Sequence, residues 1–194
     1  MLDRFEELRA AWWPTMQALI EDLLTRESPT GPQLADMTRY HLETGGKRLR
    51  AMLPLLVAEV LGEEPARMVP FGAACEMLHN ATLVHDDLQD GDAVRRGRPT
   101  VWNRYGMPHA VNVGDAMFYW TVLLAQRVEA TPEVRAEMVR RVVVETLRVI
   151  DGQTREFLLK DQEEVTVEDY LRMVEGKTSG LFALPMAGAA VAAM

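Results

Sequence analysis

The chain has 194 residues and a mass of 21.9 kDa, enough to bury a hydrophobic core in one domain. Hydrophobic residues make up 48% of it and charged residues 26%, a composition that excludes disordered and fibrous proteins. The formal net charge of −8 argues against nucleic acid or anionic membrane as a partner, so any phosphate-binding site must be local.

Apolar residues recur at three- and four-residue spacings along nearly the whole chain, without sustained alternation, which predicts an all-α protein. Clusters of Gly and Pro divide the pattern into about seven helices. In chain order, the breaks are expected at Ser28–Pro32, Gly45–Gly46, Gly62–Pro65, Gly91–Pro99, Gly106–Pro108 and Thr131–Pro132. Long helices joined by short turns predict a helical bundle, with residues 1–194 forming a single domain.

Two of these helices have distinctive sequences. The segment from about Phe71 to Asp90 is apolar on nearly every side until it reaches a group of acids, so we expect a buried, central helix. A later helix is expected to begin with Thr131 as its N-cap and Pro132 in its first turn, and to run towards Lys160.

Three features bear on the location of the protein. Cys75 is the one cysteine in the sequence and allows no internal disulfide. The first residues, MLDRFEELRAAWW, do not show the basic and then apolar pattern of a secretory signal. No stretch reaches the roughly 18 apolar residues of a membrane span. We therefore expect a cytoplasmic protein without an integral membrane segment.

The acids at the end of the apolar helix form the string DDLQD, with Asp86, Asp87 and Asp90. Asp86 and Asp90 lie within about 40° of each other on a helix, and His79 falls on the same stripe. Carboxylates at this spacing repel each other unless a cation neutralises them. Mg²⁺ suits the position, because it binds one or two carboxylates together with phosphate oxygens. A solvated helix end is the alternative.

Two cationic turns accompany the acids. The first, Arg95–Pro99, carries guanidinium groups whose geometry matches phosphate oxygens. The second, Gly45–Arg50, precedes a helix, where glycines allow a ligand to approach the backbone and helix N-terminal N–H groups favour anions. Each turn alone is typical of a solvated surface. Together, in an acidic protein, they indicate phosphate binding.

Four segments in this order resemble the trans-isoprenyl diphosphate synthases, in particular the geranylgeranyl diphosphate synthase-like members: Gly45–Arg50, His79–Thr100, Gly152–Glu156 and Glu175–Phe182. The resemblance implies an isoprenoid synthase-type helical bundle around a central cavity, usually as a homodimer. It also implies an Mg²⁺-dependent prenyltransferase that condenses isopentenyl diphosphate head-to-tail with an allylic diphosphate. The order of events would be ionisation, condensation and elimination.

The resemblance assigns a role to each matching residue. Asp86 and Asp90 would bind the Mg²⁺ that bridges to the allylic diphosphate, with Asp87 in support; Lys177 completes the catalytic set. The residues that would bind isopentenyl diphosphate are Lys47, Arg50, His79 and Arg96. Those expected near the allylic diphosphate and in its cavity are Arg95, Gln153, Lys177 and Thr178.

Two further positions bear on product length. In the family, bulky aromatic residues four or five positions before the first acid block the tunnel that holds the growing chain. Here these positions are Thr82 and Ala81, both small. We therefore expect a geranylgeranyl-sized or longer product, with Met77 and Leu78 among the residues that limit its length.

The sequence departs from the family in one respect, because it contains no second aspartate-rich motif. We expect the chain to be the N-terminal part of a longer enzyme, lacking its C-terminal helices, and the 194 residues alone to turn over poorly. The alternative is a non-catalytic or truncated partner subunit of a heteromeric prenyl diphosphate synthase. A class I terpene cyclase would not need Gly45–Arg50, and a di-iron bundle would need a second Glu-x-x-His besides Glu76 and His79.

Overall fold

The structure, a computed structural model, describes residues 2–28 and 33–193 and is almost entirely helical there. The helices are α1 (Leu2–Arg26), α2 (Gln33–Leu42), α3 (Leu49–Val60), α4 (Val69–Gln89), α5 (Val101–Tyr105), α6 (Met107–Ala125), α7 (Pro132–Lys160), α8 (Val167–Val174) and α9 (Gly180–Ala192). The all-α prediction is thus confirmed. Of the predicted break at Ser28–Pro32, residues 29–32 lie outside the described residues.

Helix boundaries follow the local sequence. Thr131 caps α7 by accepting a hydrogen bond from Val134 N at 3.4 Å, and Pro132 is the first helical residue, as predicted. Helix α8, whose start was not predicted, begins after Thr166, and Thr166 Oγ1 accepts a hydrogen bond from Asp169 N at 3.1 Å. Asp169 Oδ2 accepts in return from Thr166 N at 3.2 Å, which completes a capping box.

Helix α4 lies at the centre of the bundle and packs against α1, α3, α6 and α9. Phe71, Met77 and Leu78 are completely buried, and the burial extends around the helix, as its apolar sequence predicts. Glycine permits close packing at two crossings. A Cβ at Gly72 would meet the carbonyl oxygen of Ala51, and one at Gly188 of α9 would meet the Phe71 ring.

A short antiparallel hairpin follows α4. The helical periodicity of the sequence did not predict this hairpin. Strands β1 (Val94–Arg95) and β2 (Arg98–Pro99) pair Val94 with Pro99 and Arg95 with Arg98. The turn residues Arg96 and Gly97 have φ angles of 51° and 79°, the left-handed pair that closes a two-residue hairpin. The hairpin brings the first cationic turn back beside the end of α4.

A π-helical segment, Glu175–Ser179, joins α8 to α9 and lies against α7. Glycines make this contact possible: a Cβ at Gly152 of α7 would collide with the backbone nitrogen of Lys177, and one at Gly176 would lie 3.1 Å from Gly152 Cα. The segment carries Lys177 and Thr178, so the close packing fixes both relative to α7. Single-turn π segments inside helices are frequent at functional sites.

None of the described helices is both long and apolar enough to cross a membrane.

Candidate active site

A cavity of about 260 Å³ lies between the second half of α4 and helices α6 and α7. Its wall is largely apolar, with Phe118 from α6 and Val149 and Phe157 from α7. Asp86 and Gln153 supply polar groups. The complete lining is Thr82, His85, Asp86, Gln89, Phe118, Val149, Ile150, Gln153, Thr154, Phe157, Leu158 and Asp161. Such an arrangement can hold an apolar chain with an ionic group at one end.

Asp86 is half-buried in this wall, and burial raises the pKa of its carboxyl group to about 6. The charges of Lys177 and Arg95 lower this pKa, whereas the charge of Asp90 raises it. Lys177, Arg95 and Asp90 therefore lie within electrostatic reach of Asp86. A shared metal site for Asp86 and Asp90, expected from their helical spacing, stays a prediction.

Asp90 and Lys177 belong to a chain of ion pairs along α7. Lys160 Nζ lies 3.2 Å from Asp90 Oδ1 and 3.5 Å from Glu156 Oε1. The second carboxylate oxygen of Glu156 accepts a hydrogen bond from Lys177 Nζ. Glu156 and Lys160 were missed as site residues. Their spacing from Gln153, three and seven residues along one helix, is the signal that could have identified them.

Asp87 has a different environment from its neighbour Asp86. It is only 1% exposed, and its Oδ1 accepts a hydrogen bond from Arg95 Nε at 2.7 Å and forms an ion pair with Arg95 Nη2 at 2.6 Å. Burial raises the pKa of Asp87, and the bond from Arg95 lowers it. Asp87 is not part of the cavity wall; it fixes the side chain of Arg95, which lies close to Asp86.

His79 is absent from the lining of the cavity that includes Asp86. Burial lowers its pKa to about 3, and the charges of Arg50, Arg96 and Arg95 lower it further. His79 precedes Asp86 by seven positions, about 10 Å along the helix axis, and a common site for the two stays a prediction. Among the described residues, His79 Nδ1 has no hydrogen-bond partner.

The two cationic turns meet around His79. Arg96 donates a hydrogen bond from Nη1 to the carbonyl oxygen of Gly45, linking the hairpin to the turn before α3. The Arg50 guanidinium lies 4.2 Å from the centre of the Phe182 ring, and its buried Nε finds no acceptor in the described part of the chain. Lys47 is exposed. Arg50 and Arg96 lie within electrostatic reach of His79, and Lys47 belongs to the same turn as Arg50. We call Lys47, Arg50, His79 and Arg96 the cationic cluster; its positive charge can attract an anion.

The remaining predicted residues are divided between the cavity and its surroundings. Gln153 is 8% exposed in the cavity wall, and neither amide atom has a hydrogen-bond partner within residues 2–28 and 33–193. Thr178 is exposed on the π-helical segment. Thr82 faces the cavity, whereas Ala81 is completely buried and is not part of the lining. Of the two positions expected to set product length, only Thr82 faces this space.

Asp86, in the cavity wall, and Asp90, one helical turn later, are donors of the type that Mg²⁺ prefers. Residues 2–28 and 33–193 contain no group of three or more His, Cys, Asp or Glu side chains arranged to hold a metal alone. Two carboxylates, Asp86 and Asp90, are the oxygen ligands expected for an Mg²⁺ ion that takes its other ligands from water and phosphate. Glu76 is bound to Arg48 at 2.7 Å, which gives no support to a di-iron site with His79.

Comparisons with known proteins identify a family for this chain. Residues 31–194 match the model of the Polyprenyl synthetase family. The sequence is 40% identical over 188 residues to the geranylgeranyl diphosphate synthase of Mycobacterium tuberculosis (strain ATCC 25618 / H37Rv), an alignment that covers 91% of this chain and 51% of that protein. The chain spans about half the length of the curated relatives it matches.

Two solved structures are similar throughout the chain. The geranylgeranyl pyrophosphate synthetase from the archaeon Geoglobus acetivorans superposes with a TM-score of 0.87 at 32% identity, covering 95% of this chain and 60% of that one. The geranylgeranyl pyrophosphate synthetase from Pyrococcus horikoshii Ot3 has a TM-score of 0.90 at 31% identity, with 98% of this chain and 59% of that one covered.

Proposed function

The chain belongs to the polyprenyl synthetase family, and from this we propose that it is a trans-prenyltransferase that condenses isopentenyl diphosphate head-to-tail with an allylic diphosphate. The observation that carries the proposal is the position of Asp86. It lies at an apolar cavity, within electrostatic reach of Lys177 and Arg95. The cationic cluster, which includes His79, supplies positive charge at a second place. The reaction needs two such sites for its two diphosphates.

The allylic diphosphate belongs at the Asp86 end of the cavity. Asp86 and Asp90 would hold Mg²⁺ there, and the ion supplies positive charge for the departing diphosphate. Arg95, fixed by Asp87, and Lys177, fixed by Glu156, add preorganised cationic groups. Thr178 follows Lys177 on the same segment and contributes a hydroxyl group at its exposed position.

Isopentenyl diphosphate belongs in the cationic cluster. Lys47, Arg50 and Arg96 supply charge for its diphosphate, and neutral His79 supplies a ring nitrogen for a hydrogen bond. The apolar cavity wall excludes water from the allylic cation formed by ionisation. The double bond of isopentenyl diphosphate then attacks that cation, and a proton passes to the released pyrophosphate.

The product is proposed to be geranylgeranyl-sized or longer. The side chain of Thr82 is small and faces the cavity, so it leaves room for a prenyl chain below the acids. The relatives above are named geranylgeranyl synthases, which supports the same product class.

We also propose a cytoplasmic homodimer. The single cysteine, Cys75, is buried, which suits a reducing compartment. Large apolar side chains are exposed on α6 and α7, among them Tyr119 at 74% and Leu147 at 61%. Exposed apolar residues on neighbouring helices are typical of an association surface.

We further propose that residues 1–194 form part of one isoprenoid synthase domain and turn over slowly on their own. The sequence contains one DDxxD string, at Asp86–Asp90, whereas the family pattern has a second aspartate-rich motif. The negative charge on the departing pyrophosphate would then be only partly neutralised, which slows ionisation of the allylic diphosphate. Many rapid cycles by the 194-residue polypeptide would refute this point.

Product analysis tests the proposed function. Purified protein in excess over isopentenyl diphosphate is incubated with Mg²⁺ and a series of allylic diphosphates, and the extracted prenyl products are identified by mass. We expect products with wild type and with Asp151→Ala, which removes an exposed acid of α7 outside the cavity lining. Asp86→Ala is expected to give none. Binding of both substrates without any product would indicate a non-catalytic subunit instead.

A further inference from the structure

A buried ion pair joins Arg48, in the turn Gly45–Arg50, to Glu76 of α4. Neither residue has a part in the reaction steps above. Arg48 Nη1 donates a hydrogen bond to Glu76 Oε1 at 2.7 Å, and the two side chains are only 7% and 5% exposed. Lys47 and Arg50, on either side of Arg48, belong to the cationic cluster. The pair therefore connects this turn to the central helix α4.

The backbone of Arg48 has an unusual conformation. Its φ and ψ angles are 57° and 29°, in the left-handed region that side chains other than glycine rarely adopt. Such a conformation persists when surrounding contacts fix it, and it is frequent at functional sites. Here the residue immediately precedes α3, so its backbone angles set the direction of Lys47 relative to Arg50, which lies in the first turn of α3.

Three helices hold the Arg48 side chain. Nη2 donates to the carbonyl oxygen of Leu42, the last residue of α2, at 3.0 Å. The guanidinium carbon lies 4.4 Å from the centre of the Trp13 ring of α1. The contact with Glu76 adds α4. A planar guanidinium can make these three contacts together, which a lysine ammonium cannot.

Glu76 is itself fixed within α4. Its Oε1 also accepts from Asn80 Nδ2 at 3.2 Å, and the same Nδ2 donates to the Glu76 carbonyl oxygen at 2.8 Å. Glu76 lies one helical turn before His79. One carboxylate thus joins the turn that carries Lys47 and Arg50 to the helix that carries His79.

We propose that Arg48 and Glu76 are positioning residues for isopentenyl diphosphate. The pair holds the left-handed turn so that Lys47 and Arg50 converge with His79 on one diphosphate. Burying an ion pair carries a desolvation cost that apolar residues of the same shape would avoid, so stability alone does not explain it. Glu76 also neutralises Arg48, leaving the positive charge of the cluster on residues that can reach the ligand. The inference rests on the proposed function.

The test uses the double variant Arg48→Met/Glu76→Gln, which removes both charges, leaves the net charge unchanged and avoids a buried unpaired ion. Calorimetric titration measures the binding of isopentenyl diphosphate and, separately, of geranyl diphosphate with Mg²⁺. We expect isopentenyl diphosphate to bind about tenfold more weakly. Geranyl diphosphate should bind as in wild type, because its site lies at Asp86. A purely structural defect would weaken both ligands equally.

The matched control is Arg4→Met/Glu59→Gln, the same charge changes in an exposed pair between α1 and α3. It should bind both ligands as wild type does. Arg48→Lys keeps the charge but not all three contacts, so its affinity for isopentenyl diphosphate should fall between those of wild type and the double variant. Circular dichroism verifies that every variant is folded.

The outcomes separate this inference from the proposed function. Unchanged isopentenyl diphosphate affinity in the double variant, or equal losses for both ligands, would overturn the positioning role while leaving the proposed function in place. Failure of the wild-type protein to bind either diphosphate would overturn both.

Discussion

Arg95 places two nitrogens, Nε and Nη2, on the same oxygen of Asp87, at 2.7 and 2.6 Å. Since Asp87 is outside the cavity wall and Asp86 is part of it, adjacent acids of one motif have different environments. We interpret Asp86 as a metal ligand and Asp87 as the residue that aims Arg95 at the same substrate.

Replacing Asp87 should therefore weaken substrate binding through Arg95. Asp87→Asn keeps the shape but loses the charge, so Arg95 is less firmly held, and the affinity for geranyl diphosphate with Mg²⁺ should fall about fivefold. Isothermal titration calorimetry measures this, with Asp92→Asn as the control, an exposed acid of the same segment. Equal affinities in the two variants would count against the assignment.

The ionised carboxyl group of Asp86 should lower the free energy of unfolding at neutral pH. Its folded-state pKa of about 6 lies above the ordinary value of 3.8, so folding disfavours the carboxylate. Asp86→Asn should raise the free energy of unfolding at pH 7 without Mg²⁺ by about 1–2 kcal/mol, a range reduced for solvent screening. The gain should disappear as the pH falls from about 6 towards 4, because the wild-type carboxyl then binds its proton. Urea unfolding at several pH values measures the difference; a stability loss at pH 7 would contradict it.

His41 should make the protein less stable in acid. It is 2% exposed, and burial lowers its pKa to about 4; the charges of Arg95, Arg96 and Arg48 lower the pKa as well, whereas a hydrogen bond with Asn80 raises it. Below pH 6.5 the unfolded chain binds a proton that folded His41 does not, so stability falls between pH 6.5 and pH 4.

The comparison is with His41→Gln, which does not titrate. Wild type should lose on the order of 2 kcal/mol more than the variant between pH 6.5 and pH 4. Parallel stability curves for the two proteins in urea unfolding would show that His41 does not remain neutral in the fold.

Product length should respond to Thr82 and not to Ala81. Thr82→Phe places a ring in the cavity, so any prenyl product extracted should be shorter by one or more isoprene units. The sequence alone points to Ala81→Phe, but Ala81 is completely buried outside the lining. A ring there should overpack the core, at about 1–3 kcal/mol. Mass analysis of the products from both variants shows which position limits product length. Shortening by Ala81→Phe alone would assign that role to Ala81 and not to Thr82.

Much of the fold follows from local sequence, because Gly, Pro and capping residues determine where helices begin and end. Thr131 marks the start of α7 as its N-cap. The apolar segment from Phe71 onwards predicts the buried helix α4. The hairpin was missed because Arg96, with a φ of 51°, occupies a turn position that Gly or Asn usually fills. The π-helical segment depends on the contact between Gly152 and Gly176, which no local pattern reveals.

The site could be proposed from the sequence where one helix carries its residues, as with Asp86 and Asp90, whose shared metal site stays a prediction. It was not predictable where tertiary contacts decide, as with Glu156, which holds Lys177 from a different helix. Helix phase gives the angle of His79 around α4 but not its distance along the axis, so its grouping with the carboxylates stays a prediction.

The most direct measurement is calorimetric titration of the protein with geranyl diphosphate, with and without Mg²⁺, alongside Asp86→Ala and the control Asp151→Ala. We predict binding by wild type and by Asp151→Ala that requires Mg²⁺ and is lost in Asp86→Ala. Binding that is indifferent both to Mg²⁺ and to Asp86 would contradict the assignment of this cavity as a metal-dependent allylic diphosphate site.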